Sequence, residues 1–93
     1  LGGGLPIPSP TGEYWAQIQS FEAPDGAIFI YTRHPSGWKK EASFPIESAC
    51  DAKWLDEVTL TFRHNAGHPY RHDDPYLGPF RRITRAGDAW VVM

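Results

Sequence analysis

One cysteine, Cys50, in 93 residues leaves no internal disulfide and no zinc site built from cysteines alone. No run approaches the roughly 20 apolar residues of a helical membrane span. A strong charge of either sign is also missing. Nine Lys and Arg stand against eleven Asp and Glu, a net −2 at pH 7, which excludes a surface wholly committed to nucleic acid or acidic lipid. Uninterrupted helical pattern is scarce because nine prolines and nine glycines cut the chain into short pieces. No Gly-rich phosphate loop follows a strand pattern and opens a helix; Gly2-Gly3-Gly4 leads into Pro6, Pro8 and Pro10, a linker composition. Ser9, Ser20, Ser36, Ser43 and Ser48 all lack the context of a nucleophile elbow.

What is present is a globular composition. Apolar residues make up 41% and charged residues 22%, so the chain can bury a core rather than remain disordered. The length leaves room for one domain. Four Trp, four Tyr and five Phe supply most of the core volume, since each ring buries about 150–250 Å².

Residues 1–12 read as a flexible Gly/Pro-rich linker, with residues 13–93 as a single β domain. A stretch following a removed signal peptide or a lipid-anchored cysteine looks like this, and so does a fragment; the first two make an extracytoplasmic location the expectation. Six strands are predicted over residues 13–21, 27–33, 38–44, 58–63, 80–85 and 89–93, with turns at 23–26, 34–37 and 86–88. Residues 45–53 are the one stretch compatible with a helical turn, too short to stand alone. Strict alternation over 38–44 puts Trp38, Ala42 and Phe44 inward and Lys39, Glu41 and Ser43 outward. Lys40 then falls on the inward side, near an edge where its stem can snorkel. Over 58–63, Val58, Leu60 and Phe62 point one way and Thr59, Thr61 and Arg63 the other. The fold class is all-β: a small antiparallel sandwich, or a blade-like meander of about six strands.

Two phrases carry a resemblance. Ser9-Pro10-Thr11-Gly12-Glu13-Tyr14-Trp15-Ala16 resembles the strand-opening Ser-Pro-Asp-Gly-Lys-Tyr-x-Ala of TolB-like and WD40-like β-propeller blades, with Thr11 in place of the usual Asp. About 45 residues later, a spacing that suits a four-stranded blade, Trp54-Leu55-Asp56-Glu57-Val58-Thr59-Leu60-Thr61-Phe62 resembles the Trp-x-x-Asp-x-x-Thr-Leu-x-Phe variant. Small bacterial lipoprotein-type β domains of unknown function use a similar pair of phrases. The resemblance spans residues 9–62 and implies a style of fold, not an activity. Two blades do not close a ring, so it also implies a part of a larger propeller or an oligomer as one alternative.

Chemistry-bearing residues concentrate in residues 63–74, where His64, His68 and His72 stand at spacing four and four beside Arg63, Arg71, Asp73 and Asp74. On a helix such histidines would face one metal, but Gly67 and Pro69 oppose a helix here. A loop can still wrap zinc through His64, His68, His72 and Asp74, or bind an anion; a plain solvated loop competes with both. Residues 1–60 carry four Lys/Arg against eight Asp/Glu, residues 61–93 five against three, and the five are all arginines. Arginine stacks on aromatics such as Tyr70 and Tyr76 and forks onto carboxylates. Broad nucleic-acid binding is not expected of a net-negative domain. Cys50 reads as a small buried hydrophobe rather than a nucleophile. Trp54 and Trp90 read as core; Trp15 and Trp38, among polar neighbours, are the candidates for an exposed binding face.

With no catalytic constellation, the sequence points to a non-enzymatic module that binds another protein, of the bacterial accessory or toxin-neutralising kind, through Trp15, Trp38, Tyr70, Arg71 and Tyr76. The alternative is a metal- or anion-binding domain built on the loop at 63–74, with zinc as the candidate ion. No other cofactor, no nucleic acid and no membrane span are expected.

Overall fold

A computed structural model describes residues 6–19, 26–46, 49–63 and 80–93. Eight strands lie in them: β1 (Ile7–Pro8), β2 (Tyr14–Gln19), β3 (Ala27–His34), β4 (Gly37–Phe44), β5 (Cys50–Asp56), β6 (Thr59–Arg63), β7 (Arg81–Ala86) and β8 (Ala89–Val92). They form two four-stranded sheets, β1-β2-β3-β4 and β5-β6-β7-β8, each in chain order and antiparallel throughout. The protein is all-β. Among the described residues no helix is long and apolar enough to cross a membrane.

Tight turns explain three of the neighbouring pairs, because such a hairpin returns the chain beside the strand it just left. Pro35-Ser36, Glu57-Val58 and Gly87-Asp88 are two-residue connections between the pairs His34–Gly37, Asp56–Thr59 and Ala86–Ala89. Val58 N donates to Asp56 Oδ1 at 2.9 Å, a side-chain turn that closes the second of them. Gly87 supplies the third with a φ of 67°.

The inner faces of the two sheets share one core. Tyr14, Ala16, Ile28 and Ile30 come from the first sheet, Leu60, Phe62, Ile83 and Trp90 from the second, and Ile46 and Ala49 from the connection between them. The period-2 alternation of β2 and β3 puts these side chains on one face. Trp90 sits between Tyr14 (ring centroids 5.1 Å, edge to face) and Trp54 (6.1 Å), so three rings span the seam. Arg85 stacks over Tyr14 at 5.8 Å.

Four hydrogen bonds also lock the sheets together. Trp54 Nε1 donates to the Ile7 carbonyl (2.8 Å), and Trp90 Nε1 donates to Glu41 Oε1 (3.2 Å). The buried Ser9 hydroxyl donates to Glu57 Oε2 (2.5 Å) and accepts from Tyr14 N (3.1 Å). Thr11 N donates to the other Glu57 oxygen at 2.9 Å. The turn at residues 9–12 and the hairpin at 56–59, which carry the two blade-like phrases, therefore hydrogen-bond to each other.

Several expectations need correction. Two strands are additional to the six predicted. β1 lies in residues 6–12, expected to be linker; two residues are too few to show a pattern, and Pro8 is tolerated because β1 is an edge strand. β5 runs from Cys50 to Asp56, overlapping the expected helical turn. Its pairing with β6 is irregular at two places, and Asp51 takes a φ of 53°, so clean alternation is lost. Val58 belongs to a turn, not a strand.

The consequential correction lies in β4. Ile30 pairs with Ala42 but Tyr31 pairs with Lys40, so Glu41 is an extra residue, a β-bulge. Ala42 and Phe44 stay inward as predicted. Before the bulge the parity reverses, and Trp38 and Lys40 pair with the outward residues Arg33 and Tyr31 instead of facing the core.

Candidate functional site

The outer face of the first sheet collects the aromatic residues that the core does not use. Trp15, being odd-numbered in β2, points away from Tyr14 and Ala16. Across the sheet the register forms one row, Pro8–Trp15–Tyr31–Lys40, with Phe29 opposite Gln17 in the next row and Arg33 opposite Trp38 in the row on the other side. Directly opposed side chains on one face are the pairs that touch. Trp15 and Tyr31 stack at 4.6 Å between centroids with planes 18° apart, and Trp38 meets Trp15 edge-on at 5.3 Å. Phe29 extends the cluster, 6.5 Å from Tyr31.

Two cations lie over these rings. The Arg33 guanidinium is 5.9 Å from the Trp38 ring centre and the Lys40 ammonium 4.6 Å from that of Phe29. Such contacts hold a long side chain against an aromatic face while its charge stays solvated. Trp38 is 47% exposed, the most accessible ring of the face. Trp15 is half-buried, and its Nε1 is buried with no hydrogen-bond partner among the described residues.

A mostly apolar groove of about 680 Å³ opens on this face, lined by Pro6, Pro8, Gly12, Trp15, Arg33 and Trp38. Strand order gives its section: prolines on the β1 side, Trp15 in the middle, Arg33 and Trp38 on the β3–β4 side. Gly12 takes a φ of 79° in the β1–β2 turn, and no atom of the described residues lies within 4 Å of where a Cβ would stand.

Other reactive groups are less promising. Burial, then the neighbouring Asp51 charge, pushes the Cys50 thiol above its ordinary value, more than Arg63 pulls it down, so it stays protonated at neutral pH. Arg63 contacts Asp51 at 3.7 Å and lies over Phe80 at 5.3 Å. Burial pushes the Glu57 carboxyl up, but the hydrogen bonds from Ser9 and Thr11 outweigh it and hold the pKa below the ordinary 4.5. Among the described residues no group of three or more His, Cys, Asp and Glu is arranged to hold a metal.

Of the residues singled out from sequence, the fold brings Trp15 and Trp38 into contact. Trp54 and Trp90 pack in the seam between the sheets. Tyr70, Arg71, Tyr76, His64, His68, His72 and Asp74 lie outside the described residues. Tyr31, Arg33 and the paired prolines were not singled out. Residues 27–33 are nearly all apolar, so the sequence does not separate an inner face from an outer one, and the register reveals that the odd positions face outward.

No family model matches the chain. Sulfotransferase 1C2 of Rattus norvegicus is 33% identical over 63 residues, covering 66% of this chain and 21% of that protein. The chain thus spans about a fifth of the curated relative's length. No solved structure matches.

Proposed function

We propose that this domain is a non-enzymatic module that binds another protein through the outer face of its first sheet. The observation that carries the reading is the Trp15–Tyr31–Trp38 cluster with Arg33 over Trp38, beside an apolar groove. Tryptophan, tyrosine and arginine are enriched among the residues that dominate binding energy at protein interfaces, the two aromatics because they bury large area at small entropic cost. A domain this small has little reason to leave four rings outside its core unless something covers them. Sulfotransferase activity is not carried over to this chain from the rat protein, since the match spans about a fifth of that protein's length.

The test is capture from the source organism by wild type and by Trp38→Ala, followed by reconstitution with the purified partner. Binding that falls at least about tenfold in the variant, with folding intact, supports the reading. Equal binding by both would refute this face.

A second reading concerns architecture. Two four-stranded meanders in chain order, with the two blade-like phrases in contact, support a blade-like pair whose free faces meet further blades in a larger assembly. Sedimentation at rising concentration tests it, and a monomer throughout would end it.

A further inference from the structure

We infer that the groove takes an extended, proline-containing segment of the partner, with an acidic residue set beside Arg33. This rests on the protein-binding reading above and names the chemistry of the ligand.

The polar groups of the groove decide the class. Among the described residues its lining offers the exposed side-chain donors of Trp38 and Arg33 and no side-chain acceptor, the Trp15 Nε1 being buried. A sugar brings hydroxyl donors, and an ordinary peptide N–H donors, that no side chain of this wall accepts. A proline-rich segment brings carbonyl acceptors while its prolines carry no N–H, so its hydrogen-bonding character complements that of the wall.

Shape and charge agree. Prolyl rings are flat and apolar, and a polyproline helix is already extended, so little chain entropy is lost when it docks along aromatic rings. The chain's own Pro8 stands in register opposite Trp15, on the same face. Arg33 and Lys40 are the charged members of the β3–β4 rows on this face, and among the described residues neither has a carboxylate within ion-pair distance. An acidic side chain on the ligand would meet the Arg33 fork.

The probe is a capped decapeptide of eight prolines followed by two aspartates, titrated against the full chain by tryptophan fluorescence and by the indole N–H resonances. Matched peptides replace the prolines with alanine, or the aspartates with lysine. Saturable binding of the acidic proline peptide is expected, with shifts at Trp15 and Trp38 and not at Trp90. Alanine for proline should weaken it at least about tenfold, and Trp38→Ala likewise. Arg33→Gln, an exposed charge, should weaken it about threefold to fivefold, and only for the aspartate peptide. Trp15→Phe serves if Trp38→Ala does not fold.

Equal binding of the alanine peptide, or no binding at all, overturns the inference. If the decapeptide fails while Trp38→Ala still abolishes capture of a folded partner, the peptide assignment falls and the protein-binding face stands. Concentration-dependent dimers lost in Trp38→Ala, without peptide binding, would put a second copy on the face. If neither peptide nor partner responds to Trp38→Ala, both readings fall.

Discussion

Removing the Glu57 side chain should weaken the seam between the sheets by an amount that a mutant cycle can isolate. Glu57 accepts from the Ser9 hydroxyl and from Thr11 N, and Ser9 is only 3% exposed. Hydrogen bonds to a charged group contribute about 1.5–3 kcal/mol, and a buried donor left without a partner costs about 1–3 kcal/mol. Thr11 N is exposed and finds water, so the loss is dominated by Ser9, and Glu57→Ala should destabilise by about 2 kcal/mol. In a chain of this size that lowers Tm by about 8–16 °C. Ser9→Ala should cost a similar amount through its bond from Tyr14 N. The double variant should fall short of the sum by about 1–2 kcal/mol, because both changes break one contact.

The pH dependence has a definite sign. The folded pKa of Glu57 lies below its ordinary 4.5, so its contribution is complete above that value and fades as pH drops through the folded pKa. Thermal melts of wild type and Glu57→Gln should differ at pH 7 and converge well below pH 4.5. Additive single effects, or a gap that widens in acid, would refute the reasoning.

Other outcomes follow from the same structure. Trp90→Ala removes the ring between Tyr14 and Trp54 and should cost about 3–5 kcal/mol in urea unfolding, whereas Trp38→Ala, on the half-exposed outer ring, should cost under about 1 kcal/mol. Equal losses would mean that Trp38 is packed as deeply as Trp90 and refute the assignment of the outer face. Iodoacetamide labelling of Cys50 should reach half-maximal rate above pH 9.0, because burial and then Asp51 raise the thiol; Asp51→Asn should bring the midpoint down, and a midpoint below 9.0 in wild type would contradict the assignment. Gly87→Val should destabilise by about 1–2 kcal/mol, since φ is 67° where an L side chain is strained, although nothing crowds the added carbon; unchanged melting would show that the turn relaxes at no cost.

Local chemistry alone carries much of this protein. Proline and glycine spacing excludes long helices, and the turns at 34–37 and 86–88 follow from residue types that accept hairpin geometry without help from afar. Trp90 is legible as core because it lies in the apolar run Ala89-Trp90-Val91-Val92-Met93. Trp15 and Trp38 stood out for an exposed face because their neighbours are polar, a signal that pairs of residues carry within one strand.

What only the tertiary structure decides depends on partners distant in sequence. Trp38 sits on the outer face because Glu41 is one residue too many for β3, and a bulge is invisible until the neighbouring strand is known. Tyr31 and Arg33 join the face for the same reason: an apolar run does not say which of its sides is covered. Ile7 and Pro8 become a strand because β2 pairs with them and Trp54 reaches the Ile7 carbonyl across 47 residues. Glu57 binds the turn at Ser9 across 48 residues, a contact that no local pattern encodes. Composition and hairpin chemistry determine that the chain is all-β and where it turns; strand register, which follows from packing two sheets on one core, determines which rings are left facing a partner.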